Sequence, residues 1–219
     1  MDLHNFTDDG VNVQYGIAKS KEAPKKLLVL IHGYGADYSD LWPFAIEIQK
    51  EIPFLECILP NGLEPCDEDK NYRQWFRMGD WNIDELKKNI NISGIKFSKF
   101  LNFIASKYNM SLQDIILMGF SQGTMMALHN GILDNVRGIL GYSGMIVDDN
   151  ILRNRTELPK ILMIHGEADN VVPLSSLINS VDLFKENGFD LKYEIIPRAE
   201  HMIETKGLNK GIEFIKSLI

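Results

Sequence analysis

The chain has 219 residues, of which 45% are hydrophobic and 24% are charged, and this balance is typical of a globular domain with a sizeable core. Its formal net charge of -7 argues against a nucleic-acid partner. The same charge argues against an anionic membrane surface as a main ligand, so we expect at most transient contact with membranes.

The N-terminal part of the chain predicts a soluble protein that begins with strands. Residues 1–5 lack a basic region followed by an apolar one, and no apolar run approaches the roughly 20 residues that a membrane span needs, so we expect a cytoplasmic location. Residues 11–17 alternate apolar and polar side chains, which is typical of a half-buried strand near a sheet edge. Residues 27–31 are continuously apolar, as in a parallel strand that is covered on both faces, and they end at His32-Gly33-Tyr34-Gly35.

The next segment combines regular elements with one long loop. Apolar spacing predicts a helix over residues 40–50, and a second buried strand follows over residues 54–59. Residues 61–81 form the least regular segment, and a loop of this length in a compact domain is usually functional. The two cysteines are too few for a disulfide framework or a metal set: Cys57 fits the buried strand, whereas the polar loop could leave Cys66 exposed.

The rest of the chain continues the alternation of strands and helices. A long helix is predicted over residues 82–108, and Ser93-Gly94 could interrupt it. The following elements are predicted to be a strand and a helix within residues 115–128, strands at 136–142, 161–164 and 191–196, a polar connection at 148–156, and helices at 174–187 and 205–219. This alternation predicts an α/β fold with a doubly wound, mostly parallel sheet and helices on both faces, in a single domain that spans residues 1–219.

One strand–helix junction carries a serine in a glycine-flanked turn, Gly119-Phe120-Ser121-Gln122-Gly123. A serine hydroxyl attacks well when it projects from a tight turn, and glycines two residues away on either side let the strand and the helix approach closely. The helix N-terminus also favours the negative charge that develops during acyl transfer. A chance turn is the alternative, but the strand before the motif and the helix after it favour a nucleophile at Ser121.

Two later strand ends carry the partners that such a serine needs. In open parallel sheets, ligands bind at the carboxyl ends of the strands, where Ser121, Asp169 and His201 are all expected. Their order along the chain is the order in α/β-hydrolases, and only one of the five histidines, His201, follows Asp169. Taken alone, Asp169 could cap the helix that begins near Pro173, and His201 could be an exposed loop residue. Taken together, the three residues predict a catalytic triad.

Other polar residues near strand ends are weaker candidates. Ser143 is a rival nucleophile, but methionine stands two positions later, where the turn would need its second glycine. Asp148 and Asp149 are rival acids in a polar run without a strand directly before them. Three histidines are interpreted as non-catalytic, namely His32 and His165, which would orient loops by local hydrogen bonds, and His129, which would pack or lie at the surface.

Acyl transfer also needs two N–H donors for the oxyanion. The first is expected from the backbone of Gln122, which follows the nucleophile. The second is expected from Tyr34, because Gly33 and Gly35 give the loop the freedom to turn an N–H inward. The same glycine pair could instead form only a tight turn.

These motifs together resemble the phospholipase/carboxylesterase family of small α/β-hydrolases, which includes the acyl-protein thioesterases. The matching pieces follow one another along most of the chain, and they are residues 32–37, Trp75-Phe76, residues 119–123, residues 165–173 and His201. The resemblance implies an α/β-hydrolase fold, serine esterase activity on carboxylic esters or thioesters, oxyanion donors at Tyr34 and Gln122, and no cofactor or metal. Arg77 replaces an aspartate that is usual in the family, which weakens any inference about substrate choice. Thr124 replaces a frequent glycine, and we expect little consequence.

The expected reaction is hydrolysis through an acyl-enzyme on Ser121, with a small-molecule or acylated-protein ester or thioester as the substrate. The chain leaves no room for a large cap domain, so Trp75 and Phe76 in the long loop are expected to supply apolar surface to the substrate pocket, although core packing explains them equally well. Two alternatives remain open: a dienelactone-type hydrolase, which usually has cysteine as the nucleophile, and a non-catalytic hydrolase-fold protein that binds a small ligand. A homodimer is compatible with the sequence.

Overall fold

A computed structural model describes residues 2–219, in which helices cover both faces of an eight-stranded, mostly parallel sheet. In chain order the strands are β1 (Asp2–Asp8), β2 (Val11–Ala18), β3 (Lys26–Ile31), β4 (Leu55–Pro60), β5 (Glu64–Pro65), β6 (Arg73–Gln74), β7 (Ile115–Phe120), β8 (Gly138–Tyr142), β9 (Lys160–Gly166) and β10 (Lys192–Ile196). The large sheet has the order β1-β2-β4-β3-β7-β8-β9-β10, and β5 pairs separately with β6. Its pairs are parallel from β4 to β10, while β2 runs antiparallel to both β1 and β4. The predicted α/β class is therefore confirmed.

The two faces of the sheet bury two separate hydrophobic cores. The helices are α1 (Trp42–Glu51), α2 (Ile83–Lys107), α3 (Gln122–Leu133), α4 (Leu174–Glu186) and α5 (Thr205–Lys216). Alternate side chains of a strand point to opposite faces, and in β3 the residues Leu27, Val29 and Ile31 join the core that contains α2, α3 and α4. Leu28 and Leu30 join the core that contains α1 and α5. Burial on both faces explains why residues 27–31 of this strand are continuously apolar.

The N-terminal hairpin differs from the prediction, which placed the first strand at residues 11–17. Residues 2–8 also form a strand, and β1 pairs antiparallel with β2 across a turn at Asp9-Gly10. Both turn residues have positive φ, 43° at Asp9 and 78° at Gly10, as a tight hairpin turn requires. Strand β1 lies at the sheet edge, and Phe6 is the one side chain that it buries, so hydrophobic periodicity is weak there.

Helix α2 runs without interruption through Ser93-Gly94, where the sequence left a break open. A Cβ added to Gly94 would lie 2.7 Å from the His129 ring on α3. The glycine therefore lets two helices approach closely, and it does not end the helix. The helix begins at the Asn82 cap, whose side chain accepts a hydrogen bond from the Asp84 N–H. Although α2 has 25 residues, neither it nor any other helix within residues 2–219 is long and apolar enough to cross a membrane.

The loop of residues 61–81 is more ordered than its composition predicts. Strands β5 and β6 pair within it, and Arg73 forms an antiparallel bridge with Ala36 in the segment that follows β3. The Cys66 N–H donates to the Tyr72 carbonyl at 2.8 Å, which brings the two arms of the loop together. Cys66 is only 2% exposed as a result, so the expectation of an exposed thiol is wrong.

Candidate active site

Ser121 lies at the sharp turn between β7 and α3, as predicted. Its backbone has φ 54° and ψ -119°, a combination that residues other than glycine rarely adopt. Two hydrogen bonds of 2.9 Å hold this turn: the Ser121 N–H donates to the Tyr142 carbonyl, and the Ser121 carbonyl accepts from the Thr124 N–H. The strained residue thus stands on the wall of a cleft, at the N-terminus of a helix.

The two glycines of the serine motif are required by close backbone approach. A Cβ on Gly119 would lie 2.3 Å from the Gly123 carbonyl oxygen, and a Cβ on Gly123 would lie 1.9 Å from the Ile31 carbonyl oxygen. Neither distance is possible for a real side chain, and both neighbours are backbone atoms that cannot move aside. The spacing of the glycines therefore follows from the contact of β7, α3 and the end of β3.

Asp169 and His201 meet at one edge of the sheet. Asp169 follows β9 and His201 follows β10, and these strands are parallel neighbours. The His201 Nδ1 lies 2.8 Å from Oδ2 of Asp169. The other carboxylate oxygen, Oδ1, accepts hydrogen bonds from the N–H groups of Val171 at 3.0 Å and Val172 at 2.9 Å. Asp169 thus stabilises its own turn and orients the histidine.

The pKa of the Asp169 carboxyl lies below its usual value. Burial alone would raise this pKa, but hydrogen bonds from His201, the Val172 N–H, the Ser143 hydroxyl and the Val171 N–H outweigh burial. The carboxylate is therefore ionised at neutral pH and accepts the Nδ1–H of His201. This tautomer leaves Nε2 as the ring nitrogen that can take a proton from a reacting group.

Ser121 and His201 line the same cleft, which has a volume of about 720 Å³. The Phe120 ring packs against the His201 ring with 4.8 Å between centroids. Within residues 2–219 the His201 ring makes its hydrogen bond to Asp169, and the Ser121 hydroxyl is not hydrogen-bonded to it. Such contacts are often long in unliganded enzymes and tighten when substrate binds. The structure therefore places Ser121 and His201 on one cavity, and Asp169 is hydrogen-bonded to the histidine from outside the cavity lining.

Tyr34 and Gln122, the predicted oxyanion donors, also line this cleft. Gln122 is the first residue of α3, so its N–H has no acceptor within the helix. Gly33, beside Tyr34, packs on the nucleophile turn, where an added Cβ would lie 3.5 Å from Cβ of Ser121. The two N–H-bearing segments thus converge on the serine, as an oxyanion hole requires.

Trp75 and Phe76 do not line the cleft, which corrects the prediction that they supply surface to the substrate pocket. Trp75 is 0% exposed and Phe76 is 1% exposed, and both belong to the core with α2 and α3. The Gln122 side chain holds them there, because its Oε1 accepts from the Trp75 N–H at 2.9 Å and its Nε2 donates to the Phe76 carbonyl at 2.7 Å. The apolar lining comes instead from Leu41, Met78, Trp81, Phe120, Met125, Val171 and Val172.

The alternative candidates for the nucleophile and the acid, Ser143, Asp148 and Asp149, make contacts that differ from those of Ser121 and Asp169. Ser143 is 1% exposed and is not among the residues that line the cleft, and its hydroxyl helps to lower the pKa of Asp169, so it supports the acid. Asp148 caps a short 3-10 turn through a hydrogen bond from the Asn150 N–H. Asp149 pairs with Lys87 at 2.7 Å.

Three further histidines are buried and use their rings in packing or in local hydrogen bonds. The His165 Nε2 donates to the Val172 carbonyl at 2.8 Å, and the His32 ring contacts Gly33 and Gly62, so the predicted local bonding of both is confirmed. His129 packs against α2. Burial lowers the pKa of His32 and of His129 to about 4, which leaves both rings neutral at pH 7.

Charged groups that sequence reasoning did not assign to the site also line the cleft. Four carboxylates do so, from Asp40, Asp67, Glu68 and Asp80, and none of the lining residues in the described chain is lysine or arginine. Burial, together with the nearby Asp37 charge, raises the pKa of Asp40 above its usual value. Arg77, the departure from the family pattern, is exposed and lies 3.4 Å from the Glu64 carboxylate, outside this lining. The acidic residues within the loop of residues 61–81 were the signal in the sequence that could have indicated an acidic cleft.

Comparison of sequences finds esterase relatives over most of the chain. Residues 12–219 match the model of a family described as Phospholipase/Carboxylesterase. The chain is 27% identical over 211 residues to acyl-protein thioesterase 1 from Gibberella zeae, covering 86% of this chain and 88% of that protein. It is 20% identical over 209 residues to esterase YpfH from Escherichia coli, covering 93% of this chain and 88% of that protein.

Solved structures show the same architecture. Esterase PE8 has a TM-score of 0.86 at 26% identity, covering 93% of this chain and 98% of that one. A carboxylesterase from Mesorhizobium loti has a TM-score of 0.78 at 20% identity, covering 99% of both chains. The likeness at the lower identity concerns the fold alone, whereas the family match extends across every segment that carries a candidate site residue.

Proposed function

The chain belongs to the phospholipase/carboxylesterase family and is a hydrolase of the esterase class, and from this premise we propose that it cleaves carboxylic esters or thioesters through an acyl-enzyme on Ser121. The observation that carries this proposal is the 2.8 Å hydrogen bond between Asp169 and His201 beside the cleft that Ser121 lines. A serine in a strained turn, a histidine and an ionised carboxylate supply the nucleophile, the base and its orienting group.

The proposed first step is attack of the Ser121 hydroxyl on the acyl carbonyl. His201 Nε2 takes the hydroxyl proton as the new C–O bond forms, and Asp169 stabilises the imidazolium through Nδ1–H. Collapse of the tetrahedral intermediate breaks the bond to the leaving alcohol or thiol, which receives the proton from His201. Water then attacks the acyl-enzyme by the same route, releasing the carboxylic acid and restoring the serine.

The negative oxygen of each tetrahedral intermediate would accept hydrogen bonds from the backbone N–H groups of Tyr34 and Gln122. Loss of one such donor typically costs a factor of about 10² to 10³ in rate. The positive end of the α3 dipole favours the same charge, because Gln122 is the first residue of that helix. The convergence of both segments on Ser121 supports this assignment.

The cleft is large enough for a flexible acyl group and a leaving group together. Its volume of about 720 Å³ lies within the range of ligand pockets, and its apolar residues can cover an acyl chain. One relative is named an acyl-protein thioesterase and another an esterase, so we include both acylated proteins and small esters or thioesters among the substrates. Strands from both ends of the chain join the one large sheet, which supports a single catalytic domain.

A fluorophosphonate probe and a serine variant test the proposal. The probe should label Ser121, as detected by mass spectrometry of the modified peptide. Ser121→Ala should keep the circular dichroism spectrum of the wild type while hydrolysis of p-nitrophenyl esters falls by at least about 10³-fold, the scale of losing a serine nucleophile.

The matched control is Ser143→Ala, which removes the hydroxyl of the rival serine. This variant should still be labelled at Ser121 and should retain measurable hydrolysis. Absence of any label on Ser121 would favour a non-catalytic ligand binder. Activity near the wild-type level in Ser121→Ala, with loss in Ser143→Ala, would move the nucleophile to Ser143.

A further inference from the structure

The buried ring of His32 uses both of its nitrogens in the loop that carries Tyr34. His32 is 1% exposed, and its Nδ1 lies 2.7 Å from the carbonyl oxygen of Gly33. The Gly62 N–H donates to the other nitrogen, Nε2, at 2.9 Å. A carbonyl needs a donor and an N–H needs an acceptor, so these two contacts define a neutral ring with its proton on Nδ1.

The bond to Gly33 has a consequence for the next residue. The Gly33 carbonyl and the Tyr34 N–H belong to one peptide unit, which is planar and, like every other peptide bond of the described chain, not cis. In such a unit the C=O and the N–H point in opposite directions. When His32 holds the Gly33 carbonyl on its own side, the Tyr34 N–H must point to the other side.

A second set of buried hydrogen bonds ties this loop to the nucleophile turn. The Trp75 indole N–H donates to the His32 carbonyl at 2.8 Å. The Trp75 backbone N–H donates to Oε1 of Gln122 at 2.9 Å, and Gln122 follows the nucleophile. Trp75 therefore connects the segment that carries one oxyanion donor to the residue that carries the other, and all three side chains are 1% exposed or less.

We propose that His32 is a positioning residue of the oxyanion hole: its ring sets the direction of the Tyr34 N–H, and Trp75 and Gln122 fix that peptide relative to Ser121. This inference rests on the proposed serine hydrolase function. It gives a role to a buried histidine that takes no part in proton transfer. It also gives a positioning role to Trp75, which does not touch the cleft.

Two substitutions at His32 test the proposal. His32→Leu removes both ring hydrogen bonds, and kcat per active site should fall by about 10- to 100-fold, somewhat less than for outright loss of an oxyanion donor. KM should change by less than about threefold, because the donor acts on the transition state more than on bound substrate. His32→Asn places an amide NH₂ close to the position of Nδ1, so it should recover most of the lost kcat.

The measurement separates positioning from a general loss of folded protein. Active sites are counted by the burst of p-nitrophenol, so that kcat refers to competent enzyme only. The affinity for an alkyl trifluoromethyl ketone is measured in parallel, because Ser121 adds to that carbonyl and places a negative oxygen in the oxyanion hole. This affinity should fall together with kcat in His32→Leu and recover together with it in His32→Asn.

His129→Leu is the matched control, since His129 is an equally buried histidine that packs between helices away from the cleft. It should lower stability without changing kcat per active site. If His32→Leu does not fold, Trp75→Phe removes the donor to the His32 carbonyl and should lower kcat by about three- to tenfold, the effect of about one hydrogen bond.

Unchanged kcat per active site in the folded variants, or a ketone affinity that does not follow kcat, would overturn the positioning role. This outcome is distinct from failure of the proposed function. Wild-type activity in Ser121→Ala would remove the serine mechanism itself. If Ser121→Ala is inactive while His32→Leu keeps the wild-type kcat per active site, only the positioning role of His32 is rejected.

Discussion

Single side chains at this site are held in place by several hydrogen bonds each. One oxygen of Asp169 accepts from two backbone N–H groups, and the other accepts from His201. The Ser143 hydroxyl also lowers the pKa of this carboxyl, and Ser143 is only 1% exposed. A change at Ser143 therefore acts on His201 through the charge and the orientation of Asp169.

Ser143→Ala should lower the free energy of unfolding at neutral pH by about 1–3 kcal/mol, the range for removing a buried hydrogen bond to a charged group. The depressed pKa of Asp169 means that its ionised form stabilises the fold above the unfolded-state pKa, and that this contribution is lost as the pH falls through the folded-state pKa. The substitution should raise the folded-state pKa of Asp169. The loss of unfolding free energy should therefore be largest near neutral pH and should shrink below about pH 4, the usual aspartate range. Urea unfolding across this pH range measures the effect.

Ser180→Ala serves as the control for that experiment. Its buried hydroxyl donates to the Ser176 carbonyl and accepts from the Ile146 N–H, and neither partner is charged. The loss of stability in this variant should not depend on pH between neutrality and pH 4. A deficit of Ser143→Ala that is equally independent of pH would contradict the contact with Asp169.

Hydrophobic patterns predicted the elements that lie inside the molecule better than those at its edges. Residues 27–31 of strand β3 and the whole of strand β7 lack polar side chains because both faces are covered, and this pattern is visible in the sequence. Strand β1 pairs with only one neighbour and buries little, so its identity as a strand depends on pairing that periodicity does not report. Gly94 was ambiguous for a related reason, since a glycine that ends a helix and one that admits a neighbouring helix look alike in the sequence.

The contact of Gly94 with α3 leads to a prediction about these two helices. Gly94→Ala should destabilise the protein by about 1–3 kcal/mol through overpacking. The added Cβ would lie 2.7 Å from the His129 ring, so the ring or the helix must move. In a His129→Ala background the same substitution should become neutral or stabilising by up to about 1 kcal/mol, the gain in helix propensity. Urea unfolding of the four proteins of this cycle measures the coupling, and equal effects in both backgrounds would reject the contact.

At the scale of the whole molecule, the sequence predicted which polar residues come together at the candidate site but not the walls of the cleft. The order of Ser121, Asp169 and His201 and the ends of parallel strands are local features that a sequence displays. Trp75 and Phe76 looked like cleft residues because they are aromatic and lie in a long loop, yet the hydrogen bonds to Gln122 turn them into the core. Which side chains of a loop face a cavity depends on such long-range contacts, and no periodicity encodes them.

For the same reason the sequence did not show which of its acidic side chains face the cleft, and their combined charge predicts a preference among substrates. Four carboxylates line the cavity without a lysine or arginine among the lining residues that the structure describes, and the whole chain carries -7. An anionic acyl chain should therefore be repelled. We expect kcat/KM for the mono-p-nitrophenyl ester of adipic acid to be about tenfold below that for p-nitrophenyl hexanoate at low salt. The difference between the kcat/KM values of the two esters should become smaller above roughly 0.5 M salt, where the Debye length is only a few ångströms.

Two variants identify which charges are responsible. Glu68→Gln combined with Asp80→Asn neutralises two of the carboxylates in the cleft lining, so it should raise kcat/KM for the adipate ester and leave that for the hexanoate ester nearly unchanged. Asp182→Asn on α4 removes one exposed charge outside the lining and should have little effect on either ester. Because Coulomb repulsion falls with distance and screening, only charges close to the scissile bond can separate the two esters. If the difference in kcat/KM between the two esters persists in the double variant and at high salt, the shape or the apolar lining of the cleft, and not its charge, discriminates against the carboxylate of the adipate ester.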